Sequence, residues 1–287
     1  MAATSEHESA AERPGGSSTP PWAYAHQPRR APARSERIAS PMFRKLLSRT
    51  APAHPPASTR VPAGRSSVTD LTKKAAVSLT KHGLSDQKAA VYLVLDRSGS
   101  MRPHYKDGNV QYLAEQVLGL ARNLDDDGQV PVVFFSTGID GATVISPGDH
   151  GGRIEAAYQR IERRMGRTHY ETAIQHVVKL HLGSPAHAEG VPALVVFQTD
   201  GGPTDREAAV AALREAAELP LFFAFVGYGH KIAFLDKLDE LTGRRVDNAS
   251  HFHAADPQNV PDSALYDGIT SQFGPWLTTA RAERILP

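Results

Sequence analysis

The 287-residue chain contains no cysteine, which excludes a disulfide framework, a thiol nucleophile, zinc–thiolate sites and iron–sulfur clusters. Either redox compartment stays open, because a cysteine-free chain folds in both. A long hydrophobic run is missing as well: the longest, residues 219–226, is far short of the roughly 20 residues that cross a bilayer. No charged-then-apolar signal peptide opens the chain, so a soluble protein without a transmembrane segment is expected. Excess charge of one sign is absent too, with 32 Lys and Arg against 31 Asp and Glu. What is present, 40% apolar residues, suffices for a globular core, and the length allows one large domain or two small ones.

The charge balance hides a split. Residues 1–68 hold ten Lys and Arg against four Asp and Glu, whereas the remaining residues carry a net charge of −5. The first segment also holds ten of the 21 prolines, and its apolar residues are too scattered to offset the entropy of ordering. It reads as a disordered basic tail. Met42-Phe43-Arg44-Lys45-Leu46-Leu47 suits a short amphipathic turn that touches a membrane or a partner helix, but the solvated tail is favoured. Glu6, Glu8 and Glu12 argue against an organelle transit peptide. The expected organisation is this tail over residues 1–68, a leading helix and linker over 69–87, and a folded domain over 88–287.

From Val68 the pattern changes. Thr69 or Asp70 caps a short helix over Leu71, Ala75 and Leu79, ending near Gly83. Four apolar, β-favouring runs follow at residues 91–95, 130–135, 193–197 and 221–226. They lack polar alternation, as do strands covered on both faces. Helical stripes lie between them: Val110, Leu113, Ala114, Val117, Ala121 and Leu124; Ile154, Ala157, Tyr158, Ile161 and Met165; and Ile174, Val177, Val178 and His181. A further helix is expected to start at Thr204, with Glu207 at the capping-box spacing. Asp140-Gly141 predicts a hairpin turn between the second strand and residues 142–145, so one strand should run antiparallel at a sheet edge. From Asp262, Ile269, Phe273 and Trp276 mark one or two helices that pack back onto the sheet. The alternation otherwise implies an α/β fold: a doubly wound, mostly parallel central sheet with helices on both faces.

Ligands of such sheets bind beyond the carboxyl ends of the strands, where strand order reverses. The first strand ends in Asp96-Arg97-Ser98-Gly99-Ser100-Met101 and the fourth in Gln198-Thr199-Asp200-Gly201-Gly202. Asp96, Ser98 and Ser100 are spaced by two, so a locally extended turn presents their oxygens on one side. Two carboxylates and two hydroxyls, without His or Cys, suit a hard divalent cation. Magnesium prefers six oxygens at about 2.0–2.1 Å and usually keeps several waters. Manganese accepts the same kind of oxygen cage.

These residues, with a threonine in Gly166-Arg167-Thr168-His169-Tyr170, resemble the metal-ion-dependent adhesion site of von Willebrand factor type A domains. The resemblance covers about residues 88–280. It implies a Rossmann-like sheet, a first metal loop of Asp96, Ser98 and Ser100, a second ligand at Thr168 and a third loop at Asp200. The pattern places the threonine directly after Gly-Arg, so Thr168 is preferred over Thr172, which is read as beginning the next helix. An acidic side chain of a protein partner is then expected to complete the shell of a magnesium ion. Val91 to Ser136, with Leu124-Asp125-Asp126-Asp127-Gly128, is further similar to the type A domains of bacterial tellurium-resistance and stress-response clusters. That likeness implies a cytoplasmic module acting beside other Ter-cluster proteins; a protein-binding role without enzymatic activity, and no nucleic-acid partner, are expected.

Other candidates weigh less. Asp125-Asp126-Asp127 lacks the spacing of a calcium-binding EF-hand loop and reads as a solvated loop. His251 and His253 share a strand face without a third metal ligand. His104, Tyr105, His169 and Tyr170 flank the metal loops, and Arg97 is placed either to attract an acidic ligand or in solvent. Phosphate-loop, dinucleotide and nucleophile-elbow motifs are absent. The competing function is a metal-dependent phosphatase of the haloacid-dehalogenase-like class using Asp96. Such enzymes carry a second Asp where this chain has Ser98, whose hydroxyl is a poor proton donor near neutral pH.

Overall fold

A computed structural model describes residues 65–238 and 241–287. Residues 1–64 of the basic tail read from the sequence, including Met42 to Leu47, lie outside the described residues; its last four are ordered, with Arg65 donating to the Gly108 carbonyl at 2.9 Å, Ser66 to Asp262 at 2.8 Å, and Val68 opening the first helix. Among the described residues ten helices and six strands follow in order: α1 (Val68–Lys81), β1 (Ala90–Asp96), a 3-10 turn (Gly99–Met101), α2 (Arg102–Lys106), α3 (Asn109–Leu124), β2 (Val130–Phe135) and β3 (Ile139–Ile145). Then come α4 (Arg153–Gln159), α5 (Tyr170–Leu182), α6 (Pro185–Ala188), β4 (Ala193–Thr199), α7 (Arg206–Ala216) and β5 (Leu221–Tyr228). The last elements are α8 (Ala233–Asp236), β6 (Ala249–Ala254), α9 (Asp262–Thr270) and α10 (Phe273–Ala282).

The strands form one sheet in the order β3-β2-β1-β4-β5-β6. Every pairing is parallel except β2 with β3, so the antiparallel strand sits at an edge as expected. All residues of β1, β2, β4 and β5 are buried, which explains their unbroken apolar runs. Alternate side chains enter two cores. Leu93, Leu95, Val132, Phe134, Val196 and Ala224 meet the side formed by α1, α3, α9 and α10. Tyr92, Val94, Val133, Phe135, Phe197 and Phe225 meet α5, α7 and α8 on the other. Each such large apolar side chain contributes about 1.5–3 kcal/mol of burial free energy. Among the described residues no helix is long and apolar enough to cross a membrane.

Several local expectations are corrected. Asp140-Gly141 lies inside β3; the chain reverses one step earlier, at Ser136–Gly138, where the Ser136 amide donates to the Gly138 carbonyl at 2.9 Å. A register shift at Phe134/Phe135 absorbs the difference. Helix α4 stops at Gln159, so Ile161 and Met165 belong to a loop whose apolar side chains still pack on the core. Ser67, not Thr69 or Asp70, caps α1, its hydroxyl accepting from the Asp70 amide. Helix α7 begins at Arg206 with no side-chain cap, for a reason that lies at the candidate site.

Candidate metal centre

Strand β1 sits between β2 and β4, where the winding reverses, so its carboxyl end opens into the crevice of the sheet. Asp96 closes the strand and is fully buried. One carboxylate oxygen accepts the Ser98 amide at 2.6 Å, the other the Thr199 hydroxyl at 2.7 Å from the end of β4. Among the described residues no Lys or Arg pairs with it. Burial therefore pushes its pKa up to about 7, the Asp200 charge adding to the rise against the hydrogen bonds from Thr199 and Ser98.

Beyond Asp96 the loop enters the 3-10 turn. The Ser98 and Ser100 hydroxyls share a hydrogen bond of 3.2 Å, and Ser100 donates to the Asp200 carboxylate at 2.8 Å. Two residues remote in sequence by a hundred positions thus meet through one hydroxyl. The Asp200 loop is braced from below: the Gly201 amide donates to Thr199 Oγ1 at 3.2 Å, and the Tyr170 hydroxyl donates to the Gly201 carbonyl at 2.7 Å.

Thr168 is carried between these loops by backbone bonds. The Gly99 amide donates to the Gly166 carbonyl at 3.3 Å, and Ser98 forms an isolated β-bridge with Gly166. On the other side, the Thr168 carbonyl accepts the Thr204 amide at 2.8 Å and the Thr204 hydroxyl at 3.0 Å. A Cβ at position 166 would lie 2.5 Å from Thr137 Oγ1 and 3.1 Å from the Thr137 amide, so the approach demands glycine. Thr168 is buried, and its hydroxyl makes no hydrogen bond among the described residues. Thr172 lies within the first turn of α5 instead of beginning it, because the helix starts at Tyr170.

Asp205 explains the uncapped α7. Its two carboxylate oxygens accept the Tyr170 and Glu171 amides, each at 3.0 Å, and so cap α5, the helix that follows Thr168. Thr204, read from the sequence as a helix cap, spends its hydroxyl on Thr168.

The flanking residues divide. Tyr105 is buried and donates to the Asp96 carbonyl at 3.0 Å, stacking on Tyr158 with ring centroids 4.2 Å apart. Tyr170 is likewise buried under the Asp200 loop. Both brace the loops from within. His104 and His169 remain partly exposed, His104 lying against the Tyr228 ring. Neither expectation for Arg97 holds: it is buried and turns inward to Asp140 at 3.1 Å. His251 pairs with Asp236 at 3.3 Å and His253 meets the Gly229 carbonyl at 2.8 Å. Among the described residues no three His, Cys, Asp or Glu side chains cluster as a metal site would require. The candidate centre therefore depends on hydroxyl oxygens, with two carboxylates behind them.

For a hard divalent cation the residues fit. Among the described residues the buried Asp96 carboxylate has no ion-pair partner, the Thr168 hydroxyl makes no hydrogen bond, and every candidate donor is oxygen. Thr199, Asp205 and Tyr170 were not legible as supports: Thr199 was signalled only by the Thr-Asp-Gly motif, Tyr170 only as flanking the loops, and Asp205 not at all.

Residues 88–286 match the family model described as the type A domain found in the TerF C terminus. An uncharacterized protein of Bacillus subtilis strain 168, YcbR, is 32% identical over 221 residues, covering 76% of this chain and 89% of its own. Among solved structures, a von Willebrand factor type A protein of Catenulispora acidiphila is 18% identical with a TM-score of 0.44, covering 65% of this chain and 42% of that one. Proximal thread matrix protein 1 from the mussel byssus, in a form with a zinc-occupied adhesion-site motif, is 20% identical with a TM-score of 0.41, covering 65% and 48%. The chain thus spans less than half the length of each of these two solved chains. The match over residues 88–286 and the mostly parallel sheet define the von Willebrand factor type A class, whose members are generally interaction modules. Within it, this chain belongs to the TerF-like type A family.

Proposed function

We propose that the protein is a magnesium-dependent protein-binding module of the tellurium-resistance and stress-response type. Asp96, Ser98, Ser100, Thr168 and Asp200 would hold the cation, with manganese as an alternative occupant. The observation that carries this reading is the hydrogen-bonded chain Ser98–Ser100–Asp200, whose first residue also donates its backbone amide to the buried Asp96 carboxylate. Once bound, such a cation supplies a Lewis-acidic place for one outside oxygen. This chain's own residues do the rest. Ser98, Ser100 and Thr168 offer uncharged oxygens that leave the cation's charge uncancelled. Asp96 is pinned by Ser98 and Thr199, so its charge is oriented in advance. An acidic side chain of a partner protein is then the natural completing ligand. Action in the cytoplasm beside other Ter-cluster proteins is part of the same proposal, and rests on family membership.

Calorimetry with magnesium tests it: the parent protein should bind and Asp200→Ala should bind at least tenfold more weakly. Equal affinities would remove the site assignment. Turnover of a generic aryl phosphate that vanishes in Asp96→Asn would instead favour the phosphatase alternative, for which only the position of Asp96 speaks.

A further inference from the structure

The loop between α4 and Thr168 carries Arg160, Arg163, Arg164 and Arg167, all exposed, against a single acidic residue, Glu162. This is conspicuous in a chain whose residues after the tail are net negative. Its backbone is held from the first metal loop: Arg97 donates to the Ile161 carbonyl at 3.3 Å and the Arg163 carbonyl at 2.5 Å, while ion-pairing with Asp140. Ile161 and Met165 pack inward on the core, and Tyr158 donates to the Met165 sulfur at 3.6 Å. The loop is thus anchored at its apolar residues and by a buried guanidinium, with its arginines left at the surface.

Position relates these charges to the site. Gly166 bridges Ser98, Arg167 directly precedes Thr168, and the exposed Arg102 follows Ser100 by two residues. Arg163 stands 3.9 Å from Asp140. Arg102, Arg164 and Arg167 make no ion pair with any described residue. Nearby, Asp107 and Glu162 are exposed and Lys106 adds a further positive charge.

We infer that the partner presents a run of acidic residues, of which one completes the metal shell and its neighbours are held by Arg102, Arg164 and Arg167. The inference rests on the metal-dependent reading above and adds to it the partner's chemistry. Guanidinium groups suit carboxylates through their paired N–H donors. Exposed pairs are individually weak and screened by salt, so three of them together should give about a tenfold preference at low ionic strength.

The test uses the full chain with magnesium and two labelled Gly-Ser peptides, one with four consecutive aspartates and one with a single aspartate, followed by fluorescence anisotropy. The parent should bind the four-aspartate peptide about tenfold more tightly, with the preference shrinking as salt rises. In R102Q/R164Q/R167Q the preference should vanish while single-aspartate binding persists, and R102K/R164K/R167K should restore most of it. Equal binding of the two peptides by the parent, no binding of the acidic peptide, or a preference that survives in the glutamine variant would each overturn the inference. So would a DNA oligonucleotide that displaces the acidic peptide and loses binding in the glutamine variant, since that surface would serve nucleic acid. Asp200→Ala distinguishes the two levels. Unchanged peptide binding there sinks the metal-dependent reading, whereas loss of the arginine-dependent preference in the parent sinks only the acidic-run inference.

Discussion

His181 is fully buried on α5, its Nδ1 3.3 Å from the Tyr92 hydroxyl and its Nε2 without a hydrogen-bond partner among the described residues. Burial first, and then the nearby His187, pushes its pKa down to about 3. In the unfolded chain a histidine takes up a proton near pH 6.5, whereas here it refuses one until near pH 3. Stability is therefore complete above pH 6.5 and falls as pH drops from there toward 3, at about 1.4 kcal/mol per pH unit. Between pH 7 and pH 5 a His181→Leu variant should lose about 2 kcal/mol less than the parent in urea unfolding. Parallel losses in the two proteins would contradict this. The residue illustrates a limit of sequence reading. His181 was legible as part of a helical stripe, but its burial against Tyr92 was not. Arg97 fails in the same way: a charge beside a metal loop looks solvent-facing until Asp140, 43 residues away, is folded against it. Thr204 leaves its expected capping work and Asp205 caps the neighbouring helix because two helix starts lie side by side, a fact no local spacing encodes.

Among the elements, α1 is the one that lies outside the family match of residues 88–286. It is nonetheless integral to the packing. Leu71, Ala75 and Leu79 are buried in the same core as α3 and α9. Asp262, at the start of α9, accepts from the Tyr112 and Gln116 side chains of α3 at 2.8 Å, from Ser66 at 2.8 Å and from Lys74 of α1 at 2.6 Å. Burial works to raise its pKa, but the hydrogen bonds from Lys74, Gln116, Ser66 and Tyr112 outweigh that and hold it below the ordinary carboxylate value. The helices touch most closely at Gly119, where a Cβ would lie 2.8 Å from Leu71 Cβ and 3.0 Å from the Leu71 carbonyl carbon. Gly119→Ala should thus destabilise by about 1–3 kcal/mol, although alanine is the better helix former by about 1 kcal/mol. A rise in the urea midpoint would show that α1 can move away at little cost. The amphipathic period of α1 was readable, because burial of one stripe repeats every turn. The glycine's purpose was not, since the atom it must avoid belongs to another helix.

At the scale of the whole molecule, removal of residues 1–87 should uncover the apolar face that α3 and α9 turn toward Leu71, Ala75 and Leu79. The fragment 88–287 is expected to unfold several degrees lower than the full chain in a thermal melt and to self-associate at a concentration where the full chain does not. An unchanged melting temperature with monomeric behaviour would mark α1 as dispensable. The strands, their parallel order and the antiparallel edge were set by the sequence alone, because fully buried strands must be apolar throughout and connections between them need helices. So were Asp96, Ser98, Ser100 and Asp200 as one carboxyl-edge constellation, since strand ends in this topology share a crevice. Tertiary structure alone decided that Ser100 reaches Asp200, that Thr168 hangs between Gly99 and Thr204, and that Arg97 pins the arginine loop. Those contacts join residues up to a hundred positions apart, and their geometry follows from the twist and register of the sheet, which no local pattern of side chains records.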